Sequence, residues 1–384
     1  MTVTARARGS GRGRSIRQVL DRFLIESNGA IFLALIGLIV FFTVASPNQA
    51  FLSPFGIRSM VLAGSSILIV AVGVTFVLIA GQLDLSIGSV LVLSGVVGID
   101  TMTRLVAGGL SDEGAILIGC LVVLTVGGLA GLANGLITTR VRIPSFIVTL
   151  GTLGIAMGIA QLISAGPLSL QVPRVMNTTL GFGTFFGMPW PVIIAGTIAL
   201  FAWVVLSQTK VGLATYAVGS NREAARRAGV PVNRLIVTVF IVVGLCAGAA
   251  AIIDMARFTT VPIAGYSNTA LAAIAAVIIG GTSLFGGRGS IPGTVIGVMI
   301  PVVLLSGLVI LGVDPFWQNI VIGAMLILAV GFDQYQRERI SRGLDKPGSA
   351  EPHSSLGLPA GEPSSHGGSS GDAHPSPNLE EVNR

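Results

Sequence analysis

The chain has 384 residues, 52% of them hydrophobic and only 10% charged, with a mean hydropathy of +0.85, whereas soluble domains carry about a quarter charged residues. Its formal charge of +6 does not call for nucleic acid, because the basic residues flank apolar runs, where the positive-inside rule accounts for them. Cys120 and Cys246 lie within apolar runs and offer no disulfide framework or metal site, and His353, His366 and His374 all fall in a polar tail, which excludes a buried catalytic or metal-binding histidine.

The chain begins with a basic segment over 1–28 that contains Arg6, Arg8, Arg12, Arg14, Arg17 and Arg22. Ten apolar runs follow, at 29–46, 59–80, 86–106, 114–138, 145–165, 188–207, 235–255, 269–286, 291–312 and 316–332. A helix crosses the hydrocarbon core with about 20 apolar residues, so the pattern predicts an all-α integral membrane protein of about ten transmembrane helices over 29–332. The Gly/Ser/Pro-rich segment at 333–384 reads as a largely disordered tail. The first run is read as a retained helix rather than a signal peptide, because its removal would leave an odd number of spans.

The connections differ in charge. With the N-terminus in the cytoplasm, the inside connections carry Arg140, Arg142, Lys210, Arg222, Arg226, Arg227, Arg234 and Arg288, and the C-terminal flank adds Arg337, Arg339 and Arg342. The outside connections carry only Arg58, Arg104, Arg174 and Arg257. This asymmetry places both termini in the cytoplasm of a multi-pass inner-membrane protein.

Four segments carry chemistry. In "VLIAGQLDLSIGSVLVL", Asp84 stands between two apolar stretches, where an unpaired charge is very costly. Its carboxylate can cap the helix that begins near Ser86, or it can line or gate a pathway at the membrane edge. In the fourth run Gly127, Gly131 and Gly135 recur every four residues on one helix face and admit a second helix at close range; Asn134 beside them, and Ser86 next to Asp84, are further pathway or gating candidates.

The connection at 208–234 is the longest on the inside. There Ser220 and Glu223 have the spacing of a capping box, Ala224 and Ala225 favour helix, and Gly229 and Pro231 end it. A two-turn surface helix with a small-residue face, rimmed by Arg222, Arg226 and Arg227, suits either solvent or the groove of a soluble partner. In "IGGTSLFGGRGSIPG" the Gly281–Gly286 spacing is that of a phosphate-binding loop, but Gly287 stands where the lysine must be, so nucleotide binding is rejected. Gly280 and Gly281 are read as helix-packing or turn residues.

Five stretches in order, "GQLDLSIGS", "GLANGLITTRVRIPSFIVTLGT", "AVGSNREAARRAGV", "AAIAAVIIGGTSLFGGRGSIPGT" and "VDPFWQNIVIGAMLILAV", together resemble the permease subunits of ribose-type ABC importers. The resemblance covers roughly 57–332. It departs at Gln82, where the family commonly has a second glycine, which puts the turn geometry there in doubt. It implies a non-catalytic permease dimer in the lipid bilayer, driven by a cytoplasmic ATP-binding subunit that holds the ATP and Mg, and fed by a periplasmic or lipid-anchored sugar-binding protein. It also makes Ser220, Asn221, Glu223, Ala224, Ala225, Arg226 and Gly229 the segment that docks on the ATPase. The competing readings are an ion-coupled secondary transporter, for which only Asp100 and Asp254 are available, a branched-chain amino acid permease of the same class, and a membrane scaffold or receptor.

Overall fold

A computed structural model of the chain describes residues 28–166, 171–261 and 269–344. The chain divides into two compact units, 1–339 and 340–384, and of the second only the end of the last helix is described.

The elements are helical almost throughout. They run α1 (Asn28–Ala45), a 3-10 turn (Pro47–Leu52), α2 (Pro54–Ile79), α3 (Ile87–Ala107), α4 (Asp112–Leu136), a π turn (Ile137–Val141) and α5 (Ser145–Ser164). After a short turn (Arg174–Met176), a second π turn (Asn177–Gly181) and a two-stranded hairpin of β1 (Thr184–Phe185) and β2 (Met188–Pro189) come α6 (Trp190–Gln208), α7 (Lys210–Ser220) and α8 (Arg222–Arg227). Then follow α9 (Val232–Phe258), α10 (Thr269–Ile279), α11 (Ile291–Ile310) and α12 (Pro315–Leu344).

Hydroxyl caps start the helices where the apolar runs begin. Gly56 N–H donates to Ser53 Oγ (3.0 Å) ahead of Pro54, and Gly293 N–H donates to Ser290 Oγ (3.2 Å). Each satisfies one of the amides that a helix start leaves unpaired, and proline loses nothing in that first turn.

The core lies around α2 and α9. Within the membrane-crossing stretch of α2, 89% of residues are buried inside the chain, against 22% for α5, so α2 is surrounded by protein while α5 presents most of its surface outward. Helix α9 packs most extensively on α4, then on α2 and α3; α11, α10 and α6 close the other side of α2. The exposed leucines and aromatics, among them Leu121, Leu129, Leu162 and Phe201, form the apolar exterior that hydrocarbon solvates.

Among the described residues, eight helices are long and apolar enough to cross a bilayer; the apolar stretches Ile31–Ala45 and Thr269–Ile279 are shorter. The all-α multi-pass architecture therefore stands, whereas a count of ten is not reached by length. The run expected over 269–286 stops at Ile279, because Gly281 (φ +88°) takes a left-handed turn that a helix cannot continue. The connection at 208–234 holds a helix, α7, that the sequence reading did not find. Helix α12 runs on to Leu344, into the segment read as disordered tail. The basic segment up to Ser27 and the histidine-bearing tail lie outside the described residues.

Candidate functional site

The connections gather at two ends of the helix bundle. At one, Gly287 N–H donates to Ile79 O (2.9 Å), Leu83 N–H to Ser145 Oγ (3.2 Å) and the Tyr216 hydroxyl to Gly289 O (2.8 Å), which ties together the segments 80–86, 137–145, 216–231 and 280–290. Apart from 80–86, these are the arginine-rich connections. At the other, Arg58 donates to Phe182 O (2.7 Å), Val172 N–H to Thr259 O (3.0 Å) and Arg257 to Leu62 O (3.0 Å). The charge partition read from the sequence is thus a partition in space.

At the arginine-rich end Asp84, Ser86 and Asn134, singled out separately in the sequence, form one chain of hydrogen bonds. Ser86 donates its backbone N–H (2.7 Å) and its hydroxyl (2.6 Å) to Asp84 Oδ1. The same hydroxyl accepts from Asn134 Nδ2 (2.9 Å), and Asn134 Oδ1 accepts from the Thr152 hydroxyl (2.6 Å). Asp84, Ser86 and Asn134 are all buried. Leu85 N–H donates to Thr149 Oγ1 (3.2 Å) alongside the bond from Leu83 to Ser145. The irregular segment between α2 and α3 therefore has two of its backbone amides, those of Leu83 and Leu85, satisfied by hydroxyls of α5, which is what non-helical backbone at membrane depth requires. Asp84 sits three residues ahead of the first residue of α3 and braces its start. Ser145, Thr149 and Thr152 were missed by sequence reasoning, although their spacing of four and three puts them on one helix face.

The glycines divide by role. A Cβ at Gly127 would strike the carbonyl oxygen of Gly244, one at Gly131 that of Phe240, and one at Gly135 would lie 2.8 Å from Val237 Cα, so the stripe is where α4 crosses α9. Gly280 and Gly293 meet carbonyl against Cα in both directions, which makes Gly280 the crossing point of α10 and α11. Gly281 has nothing within 4 Å of its would-be Cβ; it is a turn glycine and not a packing one.

The short surface helix exists, but its cap is different from the expected one. Ser220 is the last residue of α7, and Ala224 N–H donates to Asn221 Oδ1 (2.9 Å), so Asn221 caps α8 and the Ser220–Glu223 capping box does not form. Glu223 instead pairs with Arg227 (3.4 Å) and Arg226 (4.0 Å), exposed ion pairs of little energetic weight. Arg222, Glu223, Ala224, Arg226, Arg227 and Gly229 are exposed, whereas Ala225 is buried against the chain's own core. The small face therefore splits, with Ala225 turned inward and Ala224 outward.

A junction of glycines holds α8 in place. A Cβ at Gly219, just before the cap, would strike Ile79 O and come within 2.7 Å of Gly287 N, and one at Gly286 (φ +87°) would lie 2.8 Å from both Gly219 O and Gly81 Cα. Burial pushes the Tyr216 phenol above its ordinary pKa, in keeping with a hydroxyl held as donor to Gly289.

The two carboxylates weighed for ion coupling, Asp100 and Asp254, are each engaged near the opposite end. Asp100 pairs with Arg104 (2.9 Å), and Asp254 accepts from the Ser66 hydroxyl (2.6 Å) with Arg257 at 3.8 Å.

The family described as branched-chain amino acid transport system / permease component matches residues 56–330. The chain belongs to this family of transport permeases. The permease is 35% identical over 320 residues, spanning 82% of its own length and 95% of the relative's, to the ribose import permease protein RbsC of Haemophilus influenzae. It is 35% identical over 305 residues to the RbsC of Bacillus subtilis, covering 79% and 91% of the two chains. An L-arabinose ABC transporter permease, AraH of Azospirillum brasilense, is 34% identical over 318 residues, 82% of the permease and 90% of the relative. The matched span runs from the start of α2 to within α12 and so includes the Asp84 network, α7 and α8.

Proposed function

We propose that the permease is the membrane-spanning subunit of an ATP-binding-cassette importer that carries a monosaccharide or related polyol across the inner membrane. The single observation that carries this is identity sustained at 35% along 95% of a ribose import permease. Relatives of this kind favour the sugar reading over the branched-chain amino acid one that the family's description suggests. The paired state of Asp100 and Asp254, away from the bilayer midplane, gives no support to an ion-coupled carrier.

In this reading the chain is non-catalytic. A separate cytoplasmic subunit binds ATP and Mg and hydrolyses the nucleotide, a periplasmic or lipid-anchored protein delivers the sugar, and two permease chains pair to frame the pathway. The arginine-rich end faces the cytoplasm together with both termini, which follows from the positive-inside rule. The segment 208–234 is the coupling segment: α8 docks on the ATPase through its outward residues, and Asn221, capping it, sets its angle.

The geometry names the test. Ala224 is exposed and Ala225 is buried in the permease itself, so only Ala224 reports on a partner. Ala224→Glu leaves the Asn221 cap and every span intact, and it should insert normally yet lose the ATP-binding subunit on co-purification, together with sugar uptake. A solvated surface helix would tolerate the change within about 0.5 kcal/mol. Wild-type recovery of the ATPase with the variant would contradict the coupling assignment.

A further inference from the structure

The hairpin ahead of α6 has a tip that the chain's own packing leaves uncovered. Phe185 pairs with Met188, so Phe186 and Gly187 form a two-residue loop, and both have positive φ (+49° and +80°). Such a turn favours Asn-Gly or Gly-Gly, and a bulky residue at its first position is strained. Phe186 is also 93% exposed. Its ring meets that of Phe185 edge-on (4.7 Å between centroids), and Phe185 stacks on Trp190 (5.4 Å). Packing within the chain accounts neither for the strain nor for an aromatic ring held outward.

The position of the hairpin says what covers it. Trp190 is the first residue of α6, and its N–H donates to Gly183 O (3.2 Å), which fastens the hairpin to the beginning of a membrane span. Helix α6 has 19 residues. At 1.5 Å per residue it is about 28 Å long, barely the thickness of a hydrocarbon core of about 30 Å. Trp190 therefore lies at the edge of that core, and the hairpin with it. No charged residue stands between Arg174 and Lys210, and Phe182, Phe185, Phe186, Met188 and Trp190 are all exposed. Other spans show the same feature at this end. Arg58 on α2 donates to Phe182 O (2.7 Å), and Phe55, one turn earlier, is exposed. Helix α11 leaves the arginine-rich end at Ser290, and where it finishes α12 begins with Phe316 and Trp317, both exposed. Aromatic residues at the ends of spans form the belt at a lipid–water boundary.

We propose that the 182–190 hairpin is an interfacial anchor, its aromatic tip entering the bilayer where acyl chains meet headgroups, with Arg58 beside it facing the lipid phosphates. Arg58 gives one donor to Phe182 O, and the rest of its guanidinium fork matches phosphate oxygens. The anchor fixes the level of the connection before it, which is tied to the end of α9 by Asn177 donating to Ala256 O (2.7 Å) and by Val172 N–H donating to Thr259 O (3.0 Å). That the leaflet is the outer one rests on the orientation proposed above; the lipid contact does not.

The test uses the full-length permease in bilayer nanodiscs. Phe186→Trp, combined with Trp190→Phe, Trp203→Phe and Trp317→Phe, makes the tip the sole indole. Its emission should be shifted to the blue and should resist aqueous iodide. Phospholipid brominated near the ester end of its acyl chains should quench it more than phospholipid brominated near the methyl end. Emission like that of free tryptophan, quenched by iodide and untouched by bromolipid, would overturn the proposal. So would silence to both quenchers, which would bury the tip against a second permease chain or another protein. A second variant keeps Trp190 and the native strands: Phe186→Asn is added to Trp203→Phe and Trp317→Phe. Asparagine suits the left-handed position, so thermal stability in detergent should hold or rise. In bilayers the Trp190 emission should nevertheless move to the red and become open to iodide, because the tip no longer enters lipid. An unchanged Trp190 spectrum in bilayers would contradict the anchor, and lost stability in detergent would make Phe186 a packing residue of the fold instead.

Discussion

Asp84 is tolerable in apolar surroundings because Oδ1 takes two donors from Ser86 at 2.6 and 2.7 Å, and Ser86 is in turn held by Asn134. The carboxylate acts on backbone shape at the entry to α3. Asp84→Asn keeps an acceptor there and should be mild. Asp84→Ala leaves the Ser86 amide and hydroxyl without one, which costs about 1–3 kcal/mol. Thermal unfolding in detergent should show that order, and competition among sugars in uptake assays should show an unchanged ranking; a changed ranking would move Asp84 into the sugar path. The sequence made Asp84, Ser86 and Asn134 visible one at a time, because a polar residue in hydrocarbon stands out. It did not reveal that they touch, since the bonds join segments 48 residues apart for Asn134 and Ser86. Thr152 was hidden for a different reason: an isolated threonine in a membrane helix ordinarily bonds its own backbone. The Ser220–Glu223 box failed because α7 ends at Ser220 and Asn221 is the residue left extended (φ −157°, ψ 103°) in the cap position.

At the scale of elements, association in lipid relies on close packing rather than on a hydrophobic difference, and small residues supply it. The α4 stripe was legible as a stripe, because spacing of four is a property of the sequence alone. Its partner, α9, was not, yet Gly244 answers Gly127 there, and Gly248 lies against Val123, whose carbonyl oxygen is 2.9 Å from its would-be Cβ. Gly131→Ala puts a methyl group into the carbonyl of Phe240 and should destabilise the helix pair by about 1–3 kcal/mol. Gly158→Ala on α5, with nothing within 4 Å, should cost nothing. The two variants compared by the fraction remaining monodisperse after heating test this; equal behaviour would contradict the crossing. Helix α7 escaped the sequence reading because Gly212 and Gly219 and its threonine and tyrosine dilute any apolar period, and it is tertiary contact that fixes it. The end of α10 was misjudged by hydropathy, which does not register that Gly281 turns left-handed.

Across the whole molecule, the arginine-rich end is one connected block. Ile79 at the end of α2, Gly219 at the end of α7 and Gly287 in the 280–290 turn meet backbone to backbone, and the Asp84 segment continues from there to α5. Close-packed backbone leaves no slack, so displacement of α8 is transmitted to α2 and α3 and not absorbed by loops. In the importer proposed above, with α8 as the docking helix, this block is the route from the ATPase to the spans. The claim that this chain is the permease of an ATP-driven sugar importer is tested most directly by reconstitution in proteoliposomes with its ATP-binding subunit and sugar-binding protein. Uptake of the sugar that the binding protein holds should require enclosed ATP, stop with a non-hydrolysable analogue and persist when ionophores collapse every ion gradient. Uptake by the permease alone that follows an ion gradient and ignores ATP would contradict the account.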